Sequence, residues 1–215
     1  MTGPRVGKRG RATHARLALV TLAGSLLAGG GCYLGSARNV TPADLAADGD
    51  WEVIDGVPAV RQVARRDCGA AALAMILGYW GLPVSRDEVS AATLAAPERG
   101  IRAAELRDFA RRQGLQAFLV EGNLGDLDRE LVRRRPVLVG VVKRYGRYAY
   151  PHYEVVVGLD RQRQRILTLD PAYGLRVNSR EGFAAEWAAA RQVTLIVFPQ
   201  GSAARARGSR PSPSN

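Results

Sequence analysis

Cys68 and His152 are the two side chains whose types could form a nucleophile and its base in the body of this chain. There are only two cysteines and two histidines. The other cysteine, Cys32, closes a glycine run, and the other histidine, His14, lies among basic residues near the start. A thiol is mostly protonated at neutral pH and becomes a useful nucleophile when its thiolate is stabilised. A helix start does part of this, because the positive end of the helix dipole and free N–H groups face the sulfur. An imidazolium does the rest, and His152 is the candidate. Attack on a carbonyl leaves an oxyanion, and losing one preset donor costs about 3 kcal/mol of barrier. The backbone N–H of Cys68 and the side-chain amide of Gln62 could supply two donors. The base also needs its ring oriented by a third group. Asp170 ends a β-like run that follows the one opened by His152, so its carboxylate can serve.

Each of these residues has an ordinary reading when taken alone. A cysteine on an apolar helix usually packs. An aspartate before Pro171 forms turns. Gln62 by itself says nothing, and a histidine at a strand start is usually structural or exposed. Gln, Cys, His and Asp in that order, with no second cysteine or histidine to choose from, form a set that accident rarely produces.

The elements that must hold them follow from periodicity. Residues 68–80 are apolar nearly all round and rich in helix formers, which predicts a buried helix ended by Gly78 or Gly81. Ser85 with Glu88 makes a capping box for a helix to about Leu94. Ile101 to Gln113 is amphipathic and closed by Gly114. Strands are expected at Leu115–Val120, Pro136–Lys143, His152–Leu159, Arg165–Asp170 and Val193–Pro199. Short helices are expected at Leu124–Arg134 and Ser179–Ala190. Helices lead and strands follow, which argues α+β, a helical layer on a mainly antiparallel sheet.

The segment from Gln62 through Asp67-Cys68-Gly69 to Gly81 resembles the active-site segment of the bacteriocin-processing, double-glycine peptidases. These are papain-like cysteine peptidases found as N-terminal domains of peptide-exporting ABC transporters. His152-Tyr153 with Val155-Val156-Val157-Gly158 is similar to their histidine strand, and Asp170-Pro171-Ala172 to their Asp-Pro motif. Phe183 and Trp187 match a common closing helix. The resemblance covers about Val57 to Trp187. It implies a papain-like fold and a catalytic set of Cys68, His152 and Asp170 with Gln62 as oxyanion donor. It implies cleavage of a peptide after small residues such as Gly-Gly, and no cofactor. Three departures stand out. Ala70 replaces a frequent proline, Glu154 sits where an apolar residue is usual, and no transmembrane bundle or phosphate-binding Gly-x-x-x-x-Gly-Lys-Ser/Thr motif is present. Export machinery would therefore be a separate partner.

The ends of the chain read differently. Arg5, Lys8, Arg9, Arg11 and Arg16 precede an apolar run from Leu17 to Ala28, then Gly29-Gly30-Gly31-Cys32. That is a secretory signal over residues 1–31. A cysteine behind small residues resembles a bacterial lipoprotein signal, with Cys32 as the lipid attachment site, although Gly29 stands where that pattern prefers leucine. Tyr33 rather than aspartate after Cys32 leans towards the outer membrane, facing the periplasm. Residues 32–50 read as a tether, 51–199 as the peptidase domain, and 200–215 as a disordered Ser/Arg/Pro tail.

The net charge of +11 comes mostly from the ends. Five of the 31 basic residues lie in 1–31 and three beyond Gly201, leaving 23 basic against 20 acidic. That is not a nucleic-acid footprint. One histidine and one cysteine in the folded part, with no Cys-x-x-Cys or His-Glu-x-x-His, build no zinc site. The leading expectation is a cysteine peptidase of the cell envelope. Two alternatives keep the fold: a catalytically silent module that binds an exported peptide, and a papain-like amidase or transpeptidase.

Overall fold

The computed structural model describes Gly3 and residues 32–48, 50–93 and 100–201. The chain divides into two units, 1–30 and 31–215, and all described residues except Gly3 belong to the second. The expectations for the signal segment and for the tail beyond Gly201 fall outside the described residues.

In chain order the elements are β1 (Arg38–Asn39), α1 (Pro42–Asp48), β2 (Glu52–Val53), α2 (Cys68–Tyr79), α3 (Arg86–Thr93) and α4 (Ala103–Arg112). Then come β3 (Leu115–Glu121), α5 (Leu124–Val132), β4 (Val137–Tyr145), β5 (Tyr148–Asp160), β6 (Arg165–Asp170), β7 (Gly174–Ser179), α6 (Arg180–Ala189) and β8 (Val193–Pro199). The strands form one sheet in the order β1-β7-β6-β5-β4-β8-β3, with β2 added to β5, and every pairing is antiparallel.

Alternation along the strands splits the core in two. Leu138 of β4, Val155 of β5, Leu167 and Leu169 of β6, and Leu195 and Val197 of β8 pack with α2, α3 and α4. Val137, Val139 and Val141 of β4 pack instead with Leu127 and Leu131 of α5 and Phe183 and Trp187 of α6. Helices thus cover both faces, and α2, buried from Cys68 to Leu77, is the innermost. Its apolar circumference is what a helix pressed between a sheet and two further helices requires.

The structure adds to the reading from sequence at two places. His152 does not start its strand. It is the fifth residue of β5, which begins at Tyr148 and leaves β4 through a two-residue turn with Gly146 at φ 55°. Within the stretch read as a tether, 32–50, residues 32–48 carry backbone bonds to the sheet. The Cys32 carbonyl accepts the Gly146 N–H at 3.1 Å, the Leu34 N–H donates to Arg144 O at 2.9 Å, and β1 pairs with β7. Ala37 is buried. The segment lies along the sheet, and a Cβ on Gly35 would collide with the Glu186 carboxylate and the Tyr33 ring.

Candidate active site

Cys68 is the first residue of α2 and is buried. Asp67 occupies the N-cap, yet its carboxylate does not turn towards the helix. Its Oδ2 accepts the backbone N–H groups of Val63 and Ala64, each at 3.1 Å, and lies 3.5 Å from Arg86 Nε. Arg86 also donates to the Arg61 carbonyl at 3.2 Å. The loop before Cys68 is therefore wrapped around Asp67. The first N–H groups of α2 have no acceptor inside the helix, and they sit at its positive end beside the sulfur. Glycine follows for a steric reason. A Cβ on Gly69 would come within 3.1 Å of the Tyr153 ring and 3.2 Å of Leu106. Its absence lets the first turn of α2 press against β5 next to His152.

His152 joins the thiol to a carboxylate. Its Nε2 donates to Asp170 Oδ1 at 2.9 Å, and a second hydrogen bond links the ring to Cys68. An ionised carboxylate only accepts, so the proton on Nε2 faces Asp170 and Nδ1 is left for the thiol. Burial disfavours the charged ring. Hydrogen bonds to Asp170 and Cys68, and the charges of both, outweigh burial and raise the ring to about 10. Asp170 moves the other way. Burial would raise it, but its bonds and charge interaction with His152, the Ala172 N–H and the Arg176 charge bring it down to about 2.

The ordinary and the chemical readings of Asp170 coexist. Oδ1 accepts the N–H groups of Ala172 at 2.7 Å and Tyr173 at 3.3 Å, so the side chain does shape the turn after Pro171. The same turn ties in Gln62, whose backbone N–H donates to the Pro171 carbonyl at 3.0 Å. The half-buried Gln62 side chain stays within its own loop, with Nε2 donating to Ala64 O at 3.2 Å and Oε1 buried without a hydrogen bond. Cys68, His152 and Asp170 converge, and Gln62 stands in the loop that feeds Cys68. Cys32 is exposed and lies on the segment before β1.

Sequence reasoning missed Arg176. It is buried on β7, places Nη1 3.4 Å from Asp170 Oδ2, and donates through Nη2 to the Ala37 carbonyl at 2.9 Å. The signal was the alternation Leu175, Val177 around it, hidden because a buried arginine reads as a solvent-facing one. Glu154 proves to be buried and ion-paired with Lys143 at 2.7 Å. The ligand atoms of His152, Glu154 and Asp170 lie within 4.8 Å of one another. Within the set, His152 and Asp170 hold each other and Glu154 holds Lys143. The set is committed to its own partners rather than to a metal.

Comparison with known proteins agrees with this geometry. A curated relative is the lactococcin-A transport/processing ATP-binding protein of Lactococcus lactis subsp. lactis, 30% identical over 131 residues. That match covers 59% of this chain but only 17% of the much longer relative. The peptidase domain of Streptococcus ComA, a bi-functional ABC transporter involved in quorum sensing, superposes with a TM-score of 0.57 at 24% identity. It is covered over its whole length by 67% of this chain. A double glycine motif protease from an AMS/PCAT transporter, solved with its leader peptide, gives 0.54 at 23% identity, covering 67% of this chain and 93% of that one. These two likenesses speak to the fold, a papain-like arrangement of helices on an antiparallel sheet. The family model of the Peptidase C39 family matches residues 56–202, which hold Gln62, Cys68, His152 and Asp170, and the chain belongs to that family of cysteine peptidases.

Proposed function

We propose that this chain is a working cysteine peptidase of the double-glycine type, acting in the bacterial cell envelope on a peptide. The observation that carries the reading is His152, hydrogen-bonded to the Cys68 thiol and held by Asp170 at 2.9 Å. His152 takes the thiol proton at Nδ1, and the sulfur attacks the scissile carbonyl. The oxyanion is met by the Cys68 N–H and by the Gln62 amide, which has a second N–H besides the one on Ala64. The imidazolium then protonates the leaving amine, giving a thioester. His152 next takes a proton from water as its oxygen attacks the thioester carbon. The C–S bond breaks, the acid leaves, and the imidazolium returns its proton to the sulfur. Asp170 keeps the ring in the required tautomer throughout. A small-residue substrate is supported by the related protease solved with its leader peptide.

Purified full-length protein should alkylate at Cys68 with iodoacetamide at pH 6 far faster than free cysteine does. His152→Ala should remove that advantage. A wild-type rate equal to that of free cysteine leaves only a binding module.

The envelope setting rests on the signal-like segment ending at Cys32. Acylation there would hold the domain close to the bilayer, because the Cys32 carbonyl is bonded to the Gly146 turn. One acyl chain alone gives marginal binding, and several give firm attachment. Palmitate labelling should mark wild type and not Cys32→Ser. An unlabelled wild type in the soluble fraction would refute the anchor without touching the chemistry.

A further inference from the structure

A second group of buried charges lies beside His152 and Asp170, and the reaction described above makes no use of it. Lys143 on β4, Glu154 on β5 and Glu186 on α6 are all buried. Lys143 Nζ lies 2.7 Å from Glu154 Oε1 and 2.7 Å from Glu186 Oε2. The Tyr33 hydroxyl donates to Glu186 Oε1 at 2.5 Å and stands 3.4 Å from Nζ. Burial alone would lower the ammonium, but the two carboxylates outweigh it and hold it above its ordinary range. One cation answers two carboxylates, so the group keeps negative charge.

Glu154 is the member that reaches the site. It is two residues from His152 and so on the same face of β5. Continuing the β5–β6 ladder one step beyond Val155–Leu169 sets it opposite Asp170. Among the described residues, the Lys143 ammonium is the one group that meets its carboxylate. An apolar side chain would fill this place without the desolvation that a buried ion pair costs. Val139, Val141 and Val156 do so around it. The Glu154 carboxylate lies within 4.8 Å of the ligand atoms of His152 and Asp170. The charged partners bonded to the ring are Cys68 from α2 and Asp170 from β6. Behind them stand Arg176 from β7, Glu186 from α6 and Tyr33 from the N-terminal segment. Arg176 answers Asp170, and Lys143 is shared, which leaves the Glu154 charge to act on the ring. At such separations away from water a unit charge is felt several times more strongly than in bulk.

We infer that Glu154 is a positioning residue: through a charge maintained by Lys143 it favours the protonated His152 ring, and with it the thiolate–imidazolium pair. This rests on the reading of His152 as the base of Cys68.

The test uses the full chain labelled with ¹⁵N-histidine. It contains two histidines, His14 and His152, so His14→Gln leaves one ring to follow by NMR across pH. Glu154→Gln keeps the shape and removes the charge, and should lower the His152 midpoint by about one pH unit. Glu154→Asp keeps the charge, disturbs packing more, and should retain most of the wild-type midpoint. No shift in folded Glu154→Gln, or equal shifts in both variants, overturns the inference. If Glu154→Gln does not fold, Glu154→Met removes the charge, leaves Lys143 paired with Glu186, and carries the same expectation. Iodoacetamide rates on the same samples separate the two ideas. An unreactive wild-type Cys68 ends the peptidase reading and this inference with it. A reactive Cys68 with an unmoved His152 midpoint in Glu154→Gln ends this inference alone.

Discussion

The helix that carries Cys68 begins unlike the helix that follows it. α3 starts on Ser85, whose Oγ accepts the Glu88 N–H at 3.2 Å while Glu88 Oε2 accepts the Ser85 N–H at 2.8 Å. α1, α5 and α6 follow the same rule through Thr41, Asn123 and Ser179. At α2 the capping position holds Asp67, a residue well suited to the task, and its carboxylate is turned the other way. Leaving a helix uncapped costs about 1 kcal/mol. The first-turn N–H groups next to Cys68 remain open, which is what an oxyanion needs. The same carboxylate is spent on holding the loop that contains Gln62. The rule is obeyed at four of the six described helix starts. α4 begins on Arg102, which has no acceptor to offer, whereas α2 begins on a residue that could cap and does not. That difference marks the place where stability yields to chemistry.

The largest effect should come from the donor that this loop presents. Gln62→Ala is expected to slow acylation by a Gly-Gly anilide or ester roughly 10²–10³-fold. It should leave iodoacetamide alkylation near wild type, since alkylation forms no oxyanion. Equal losses in both reactions would mean that Gln62 supports the thiol rather than the oxyanion. Asp67→Ala comes next. It strands the Val63 and Ala64 N–H groups and takes one partner from Arg86, which keeps Asp87 and the Arg61 carbonyl. A loss of about 3 kcal/mol or more in chemical denaturation is expected, because two hydrogen bonds to a charged group go, each worth about 1.5–3 kcal/mol. Both reactions should slow by about tenfold or more, as expected when a catalytic group drifts by a fraction of an ångström. Unchanged rates in a folded Asp67→Ala protein would show that the loop keeps its place without this carboxylate.

Much of this arrangement could be read from the chain, and the exceptions have physical causes. α2 was legible because an apolar circumference ending in glycine has one use, burial. The strands from β3 to β6 and β8 were legible because one or both of their faces meet a core. The start of β5 was not, since Tyr148 to Pro151 belong to a hairpin arm that extends past the core, and exposed residues there show no period of two. β7 was missed because its inward positions include Arg176 and Asn178, which satisfy Asp170 and Thr168 instead of adding apolar area. The segment from Cys32 to Asp48 looked like a linker for the same reason. Its value to the fold is a few contacts to buried polar groups, Ala37 O to Arg176 and Tyr33 to Glu186, which composition does not reveal. Cys68, His152 and Asp170 were found by residue type and order. The groups that set their charge were not, because nothing in a sequence tells a buried arginine, lysine or glutamate from an exposed one.

The smallest expected effect is the control that gives the comparison its meaning. Ser85→Ala removes the side-chain oxygen that receives the Glu88 N–H and donates to Glu88 Oε2 at 2.7 Å. The change is at the surface, on the helix after α2, and it should cost about 1 kcal/mol of stability. Glu88 is held below the ordinary carboxylate range chiefly by the Ser85 backbone N–H and then by its hydroxyl, so the variant should also lose part of that depression. A depressed carboxylate stabilises the fold above its unfolded pKa and loses that contribution as pH falls through the folded one. The stability gap between wild type and Ser85→Ala should therefore be present at neutral pH and shrink under acid, below about pH 4. Alkylation of Cys68 and acylation should be unaffected, because α3 contributes its cap to folding and no group to the thiol. A fall in either rate matching that of Asp67→Ala would mean that any loosening near α2 disables the site, and the special role assigned to the open start of α2 would be lost.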